Sequence, residues 1–291
     1  MTPRNLRHTA DALSAGFAPL LAEARQLAAN ISLGAHGRRR AGTGEEFWQY
    51  RAANSDDPFS NIDSRSSARS DEYFVRQHEW QNSQSVHLWI DRGASMQFRS
   101  TDTVPMKAGR AAALGLALSI LLAKAGEKVG LMDTPEQPRA GMPQIENMAH
   151  LLTRDQEDTE YALPAQKQMR AGQKAVFLSD FLGDWDATME CLTYVANQQV
   201  EGCLIQVLDP IEEAFPFKGR TVLSSVNGQH KFETLRASAL RNEYLERLAE
   251  RKAALQQLAD KTGWRFLVHH TDQSANSAML WLYQALQGVR S

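Results

Sequence analysis

From Val86 onward, short apolar runs alternate with longer amphipathic stretches. Val86–Ile90 (VHLWI) precedes a helix expected over about 107–125, and Lys128–Met132 (KVGLM) precedes helical stretches across about 144–171. Ala175–Leu178 (AVFL) leads to a helix near 185–198, and Cys203–Leu208 (CLIQVL) to a long helix across about 234–262. Trp264–Val268 (WRFLV) leads to a last helix near 274–288. Apolar runs of this length read as strands buried on both faces. In the long helix Leu240, Tyr244, Leu248, Leu255 and Leu258 share a face. Strand–helix units in succession predict an α/β fold: a doubly wound, mostly parallel sheet with helices on both faces and right-handed crossovers.

The first part of the chain is patterned differently. Leu13, Phe17, Leu20, Ala24, Leu27 and Ile31 recur at helical spacing within residues 9–31. The stripe suits a helix packed on its own domain or a partner-binding helix. Residues 32–80 are punctuated by Gly34, Gly37, Gly42 and Gly44 and rich in Arg and Asp, with short strands expected near Phe47–Arg51 and Glu72–His78. The expected organisation is an N-terminal helix and irregular segment over 1–80, packed on a main domain over 81–291.

Composition narrows the function classes. The chain has 291 residues, 43% apolar and 23% charged, with a net charge of −2. That is globular composition, and the charge balance gives no support to a nucleic-acid binder. Two cysteines, Cys191 and Cys203, cannot build a disulfide framework. The longest apolar run, Ala111 to Ala123, is too short to span a bilayer, and no signal peptide is visible. The expectation is a cytoplasmic protein without membrane insertion. One asymmetry remains: up to Trp80 the chain has ten Arg and no Lys, and its first lysine is Lys107.

In an open parallel sheet, ligands bind outside the carboxyl ends of the strands. Those ends carry Asp91, Asp133, Asp180 and Asp209, then His269 and His270. Clustered carboxylates need a compensating cation, and Mg²⁺ is the candidate because it prefers oxygen ligands. Asp133 and Asp209 precede Thr134 and Pro210 and read as turn or capping residues. Asp91 and Asp180 are the better ligand candidates, on strands expected to be neighbours at the switch point. The loop Asp91-Arg92-Gly93-Ala94-Ser95-Met96 has the outline of a metal-ion-dependent adhesion site, with Gly93 in place of the first hydroxyl. Ser179-Asp180 matches the second line of such a site, and Thr134, Thr153 or Thr159 could complete it.

Residues 42–96 carry a more specific pattern. Gly42-Thr43-Gly44-Glu45-Glu46-Phe47 stands ahead of Tyr50-Arg51, then Ser55-Asp56-Asp57, Ile62-Asp63-Ser64, Ser67-Ala68-Arg69 and Val75-Arg76. With the Asp91–Met96 loop, Ser179-Asp180, Asp209-Pro210 and the Asn242–Tyr244 neighbourhood, this resembles a bacterial family of von Willebrand factor A-like proteins. It is domain-of-unknown-function family fifty-eight, whose genes neighbour MoxR-type AAA+ ATPases. Three positions depart from the family pattern: Ser55 replaces Gly, Ser64 replaces Trp, and Gly93 replaces a metal-touching hydroxyl, which lowers the expected metal affinity.

The resemblance implies a von Willebrand factor A-like domain without assigned catalytic activity, working with a MoxR-type ATPase in maturation or assembly of client proteins. The chain then reads as a non-enzymatic interaction module. Asp91, Ser95 and Asp180 would face an acidic partner group, with or without a bridging Mg²⁺. The signature residues Glu46, Arg51, Asp57, Asp63, Arg69 and Arg76 are expected in an ion-pair lattice that also includes Arg65. The alternative is a metal-dependent phosphoesterase using the acids at the strand ends.

Overall fold

The computed structural model describes residues 18–32, 47–52, 73–78, 84–154, 159–217, 219, 221–224, 231–234 and 237–286. The chain forms two compact units, a smaller one of residues 37–83 and a larger one of residues 1–36 and 84–291.

The smaller unit contains a hairpin. β1 (Phe47–Ala52) pairs antiparallel with β2 (Phe74–His78), with Tyr50 opposite Arg76 and Arg51 opposite Val75. Both strands lie where the sequence predicts them. Glu46, Asp57, Asp63, Arg65 and Arg69 lie outside the described residues, as do the side chains of Arg51 and Arg76.

The larger unit is built on five parallel strands. They are β3 (Ser85–Ile90), β4 (Lys128–Leu131), β5 (Lys174–Ser179), β6 (Glu201–Leu208) and β9 (Arg265–His270). Their order is β4-β3-β5-β6-β9, so the chain moves first to one side of β3 and then to the other. The switch point falls between β3 and β5, the strands that end in Asp91 and Asp180. A short antiparallel hairpin, β7 (Thr221–Ser224) with β8 (Lys231–Thr234), interrupts the last crossover.

Alternation along each strand sorts side chains to two faces. Val86, Leu88 and Ile90 of β3, with Val176, Leu178, Cys203, Ile205 and Val207, enter one core. It is covered by α1 (18–32), α2 (Lys107–Lys124), α3 (Met142–Leu152) and α7 (Ala275–Leu286). Ala24, Leu27 and Ile31 of α1 are buried there, so the described part of its apolar stripe serves its own unit, while Leu13 and Phe17 lie outside the described residues. Trp89, Ala175, Phe177 and Leu204 point the other way, under α4 (Trp185–Ala196) and α6 (Ala237–Thr262). On that face Trp264 stacks on Phe177 with ring centroids 5.6 Å apart. It also lies over Gly202, where a Cβ would come within 2.0 Å of its ring.

The helical stretch expected across 144–171 is realised only in α3. Thr153 ends it, its hydroxyl donating to the Ala149 and His150 carbonyls at 3.1 Å each. Residues 162–170 are irregular and include Pro164, which cannot donate to a helix ladder. Lys167 Nζ pins this segment by donating to the carbonyls of Leu131, Thr134 and Glu136 at 3.3, 2.8 and 3.2 Å.

Candidate functional site

The sheet order lines up the strand-end acids along one edge: Asp133, Asp91, Asp180, Asp209, then His270. The local structure then gives each a different partner. Arg92 bonds Asp133 Oδ2 at 2.6 Å and the Leu151 carbonyl at 2.7 Å. Asp209 caps α5 (Pro210–Ala214), its Oδ1 accepting from the Ile211 N–H at 2.9 Å and its Oδ2 from the Ser100 N–H at 2.8 Å. His270 Nε2 pairs with Glu213, which also takes Lys252 Nζ at 2.6 Å.

The centre lies at the switch point. Asp91 Oδ1 accepts from the Gly93 N–H at 2.8 Å, and Oδ2 from the Ser179 hydroxyl at 2.6 Å. Ser179 Oγ in turn accepts from the Phe181 N–H at 2.9 Å. Phe181 sits at φ 51°, a conformation rare for a bulky residue, and this turn sets the direction of Asp180. Asp180 Oδ1 accepts from the Leu182 N–H at 2.9 Å, and Oδ2 takes the Lys107 ammonium at 2.8 Å. Lys107 also reaches Glu212 Oε1 at 2.6 Å, while Glu212 Oε2 accepts from the Asp209 N–H at 2.8 Å. The Phe98 ring lies 5.8 Å from the ammonium. Lys107 and Asp180 are each 1% exposed, and Asp91 is 2% exposed.

The electrostatics follow from that burial. Burial and the charge of Asp180 push Asp91 up to about 6, against the opposing bonds from Ser179 and Gly93 and the charge of Lys107. Burial alone would lower Lys107; the carboxylates of Asp180 and Glu212 outweigh it, and the net shift is upward. Burial raises Glu212, opposed by Lys107. Burial also raises Tyr161 and Tyr244 beside the cluster, with nearby carboxylates adding to the shift.

Residues 159–162 lie directly on the Asp91 loop. Ala94 N–H donates to the Thr159 carbonyl at 3.0 Å and Ser95 N–H to the Glu160 carbonyl at 2.9 Å. Of the three candidate threonines, Thr159 therefore adjoins the loop, whereas the hydroxyls of Thr134 and Thr153 bond their own local carbonyls. Ser95 is buried, and its Oγ has no hydrogen-bond partner among the described residues.

These residues do not fit a divalent ion as arranged. Both Asp91 oxygens accept from donors, Asp180 accepts from an amide and an ammonium, and Gly93 offers no side-chain oxygen. Among the described residues no group of three His, Cys, Asp or Glu side chains is placed to hold a metal. Sequence patterning alone does not point to Lys107 and Glu212. A signal existed: a lysine opening a largely apolar helix stands at the positive end of its dipole, where a cation is disfavoured unless anions compensate it. Glu212 follows Asp209 at the spacing of a capping box, which hides its second role.

Among solved structures, the chain is similar to the conserved hypothetical protein BatB from Bacteroides thetaiotaomicron. The identity is 14% and the TM-score 0.40, covering 70% of this chain and 97% of that one. An aerotolerance-related membrane protein from Bacteroides fragilis is similar at the same identity and TM-score, over 70% and 98% of the two chains. No curated protein matches the sequence. Among the described residues no helix is long and apolar enough to cross a membrane. A family profile described as "Protein of unknown function DUF58" matches residues 49–254, most of the chain, and the chain belongs to that family.

Proposed function

We propose that the chain is a non-catalytic protein-interaction module that works with a MoxR-type AAA+ ATPase in the cytoplasm, in maturation or assembly of client proteins. The observation that carries the reading is the state of the carboxyl edge. Its carboxylates are turned inward onto Lys107, Ser179 and backbone amides, while Tyr161 and Leu163 beside them are 42% and 45% exposed. Exposed aromatic and aliphatic side chains over a rigid polar base suit protein contact better than turnover. In this reading Asp91, Ser95 and Asp180 organise the edge, and Tyr161 and Leu163 touch the partner. The family resemblance supplies the ATPase as partner.

The test is binding of the purified chain to a MoxR-type ATPase from the same genome, measured by interferometry. Wild type is expected to bind, and a Tyr161→Ser, Leu163→Ser variant to bind at least about tenfold more weakly, as for contacts worth about 1–2 kcal/mol. Equal affinities would move the docking face elsewhere. No binding by wild type would sink the partnership.

A further inference from the structure

The centre at the switch point contains its own cation. An adhesion-type site gathers an aspartate loop and a Ser-Asp pair because a divalent ion sits between them. Here the two lines of sequence meet at the ends of β3 and β5, Asp91 accepting from the Ser179 hydroxyl, and the neighbouring Asp180 takes an ammonium instead. We propose that Lys107 stands in for the divalent ion, so that the centre is complete without metal.

Four independent features agree. Lys107 is held by two carboxylates, Asp180 Oδ2 at 2.8 Å and Glu212 Oε1 at 2.6 Å, and the Phe98 ring lies 5.8 Å from the ammonium. An ammonium has three donors and no acceptor; two of them are used by carboxylate oxygens, and the ring lies within cation–π range of the charge. Next, the carboxylate oxygens an ion would need are already engaged, leaving only the Ser95 hydroxyl among the candidate ligands: Gly93 N–H and Ser179 O–H bond Asp91, and Leu182 N–H bonds the second oxygen of Asp180. Third, position 93 cannot carry the missing hydroxyl. A Cβ there would lie 2.8 Å from the Ala162 nitrogen and 3.0 Å from the Glu160 carbonyl oxygen, both backbone atoms. Finally, Lys107 opens α2, so the positive end of the helix dipole faces the same carboxylates. A divalent ion brought beside Asp180 would meet both positive charges at short range.

This inference concerns the centre itself and stands whether or not the edge docks an ATPase. The experiment uses the full chain and unfolding as readout. Wild-type Tm is expected to be the same in EDTA, Mg²⁺ and Mn²⁺. Lys107→Met keeps most of the apolar stem and removes the charge. It is expected to raise the fraction unfolded about a hundredfold or more, because buried Asp180 and partly buried Glu212 lose their cation. Adding Asp180→Asn and Glu212→Gln to that variant removes the stranded charges and is expected to recover at least tenfold. If Lys107→Met does not fold at all, a folded triple variant gives the same support. A Tm of wild type that rises with Mg²⁺ or Mn²⁺ would overturn the proposal. So would a triple variant no more stable than Lys107→Met.

Discussion

Gly93 limits what the Asp91 loop can become. Its N–H anchors Asp91, and the chain of residues 159–162 packs against the space where a side chain would begin. Gly93→Ser would restore the hydroxyl of the adhesion pattern, yet its Cβ would press on backbone rather than on a yielding side chain. The expected outcome is a loss of about 1–3 kcal/mol, as for overpacking elsewhere, with no Mg²⁺-dependent rise in Tm. Thermal melts of the variant with and without Mg²⁺ check both halves. At this scale the sequence is partly legible. Asp91, Ser179 and Asp180 can be singled out from their places after apolar runs. The left-handed turn at Phe181 and the reach of Lys107 cannot, because both depend on contacts closed over long separations.

The elements divide along similar lines. Those with long or strongly periodic apolar patterns are legible: the five strands, α2, α4, α6 and α7 all lie within a few residues of their expected positions. The hairpin β7–β8 and the short α5 are not. Their four- and five-residue lengths carry too little period to detect. The sequence reads as helical on to 171, but Pro164 and the anchoring of Lys167 keep residues 162–170 irregular. For α1 the pattern leaves open whether its apolar stripe faces its own domain or a partner. Leu27 is 7% exposed in the core beneath α2, α3 and α7. Leu27→Ala is therefore expected to cost about 2–4 kcal/mol, read as a shift of the denaturant midpoint without a change in slope. A cost near zero would assign the stripe to some other surface.

Across the whole molecule, two buried histidines contribute to the response to acid. Burial, with the charge of Lys167, holds His87 down at about 4. Burial, with Arg110 and His270, holds His269 at about 4 as well. Unfolding returns each toward about 6.5. Between those values the unfolded chain binds more protons, so stability falls as pH drops from about 6.5 toward 4, by about 1.4 kcal/mol per pH unit for each histidine. Asp91, raised to about 6, acts in the opposite direction below pH 6. Replacing His87, flanked in the strand by Val86 and Leu88, with Leu is expected to flatten the fall of stability by one proton's worth. Urea titrations of both proteins from pH 7 to 5 measure this, and parallel slopes would contradict it.

The position of Lys107 also bears on how the chain assembles. The first turn of α2 reads Lys-Ala-Gly-Arg, two cations and no acid, at the end of a helix that repels cations. The carboxylates that neutralise it lie 73 and 105 residues further along. During synthesis α2 therefore emerges long before its front end can settle. That end locks only when the turn after β5 and the first turn of α5 are in place, which makes it a late, long-range closure. A nascent chain that stops before Glu212 has the sheet's central strands but not the closed centre, so completion of the edge reports that four of the five strands have been made.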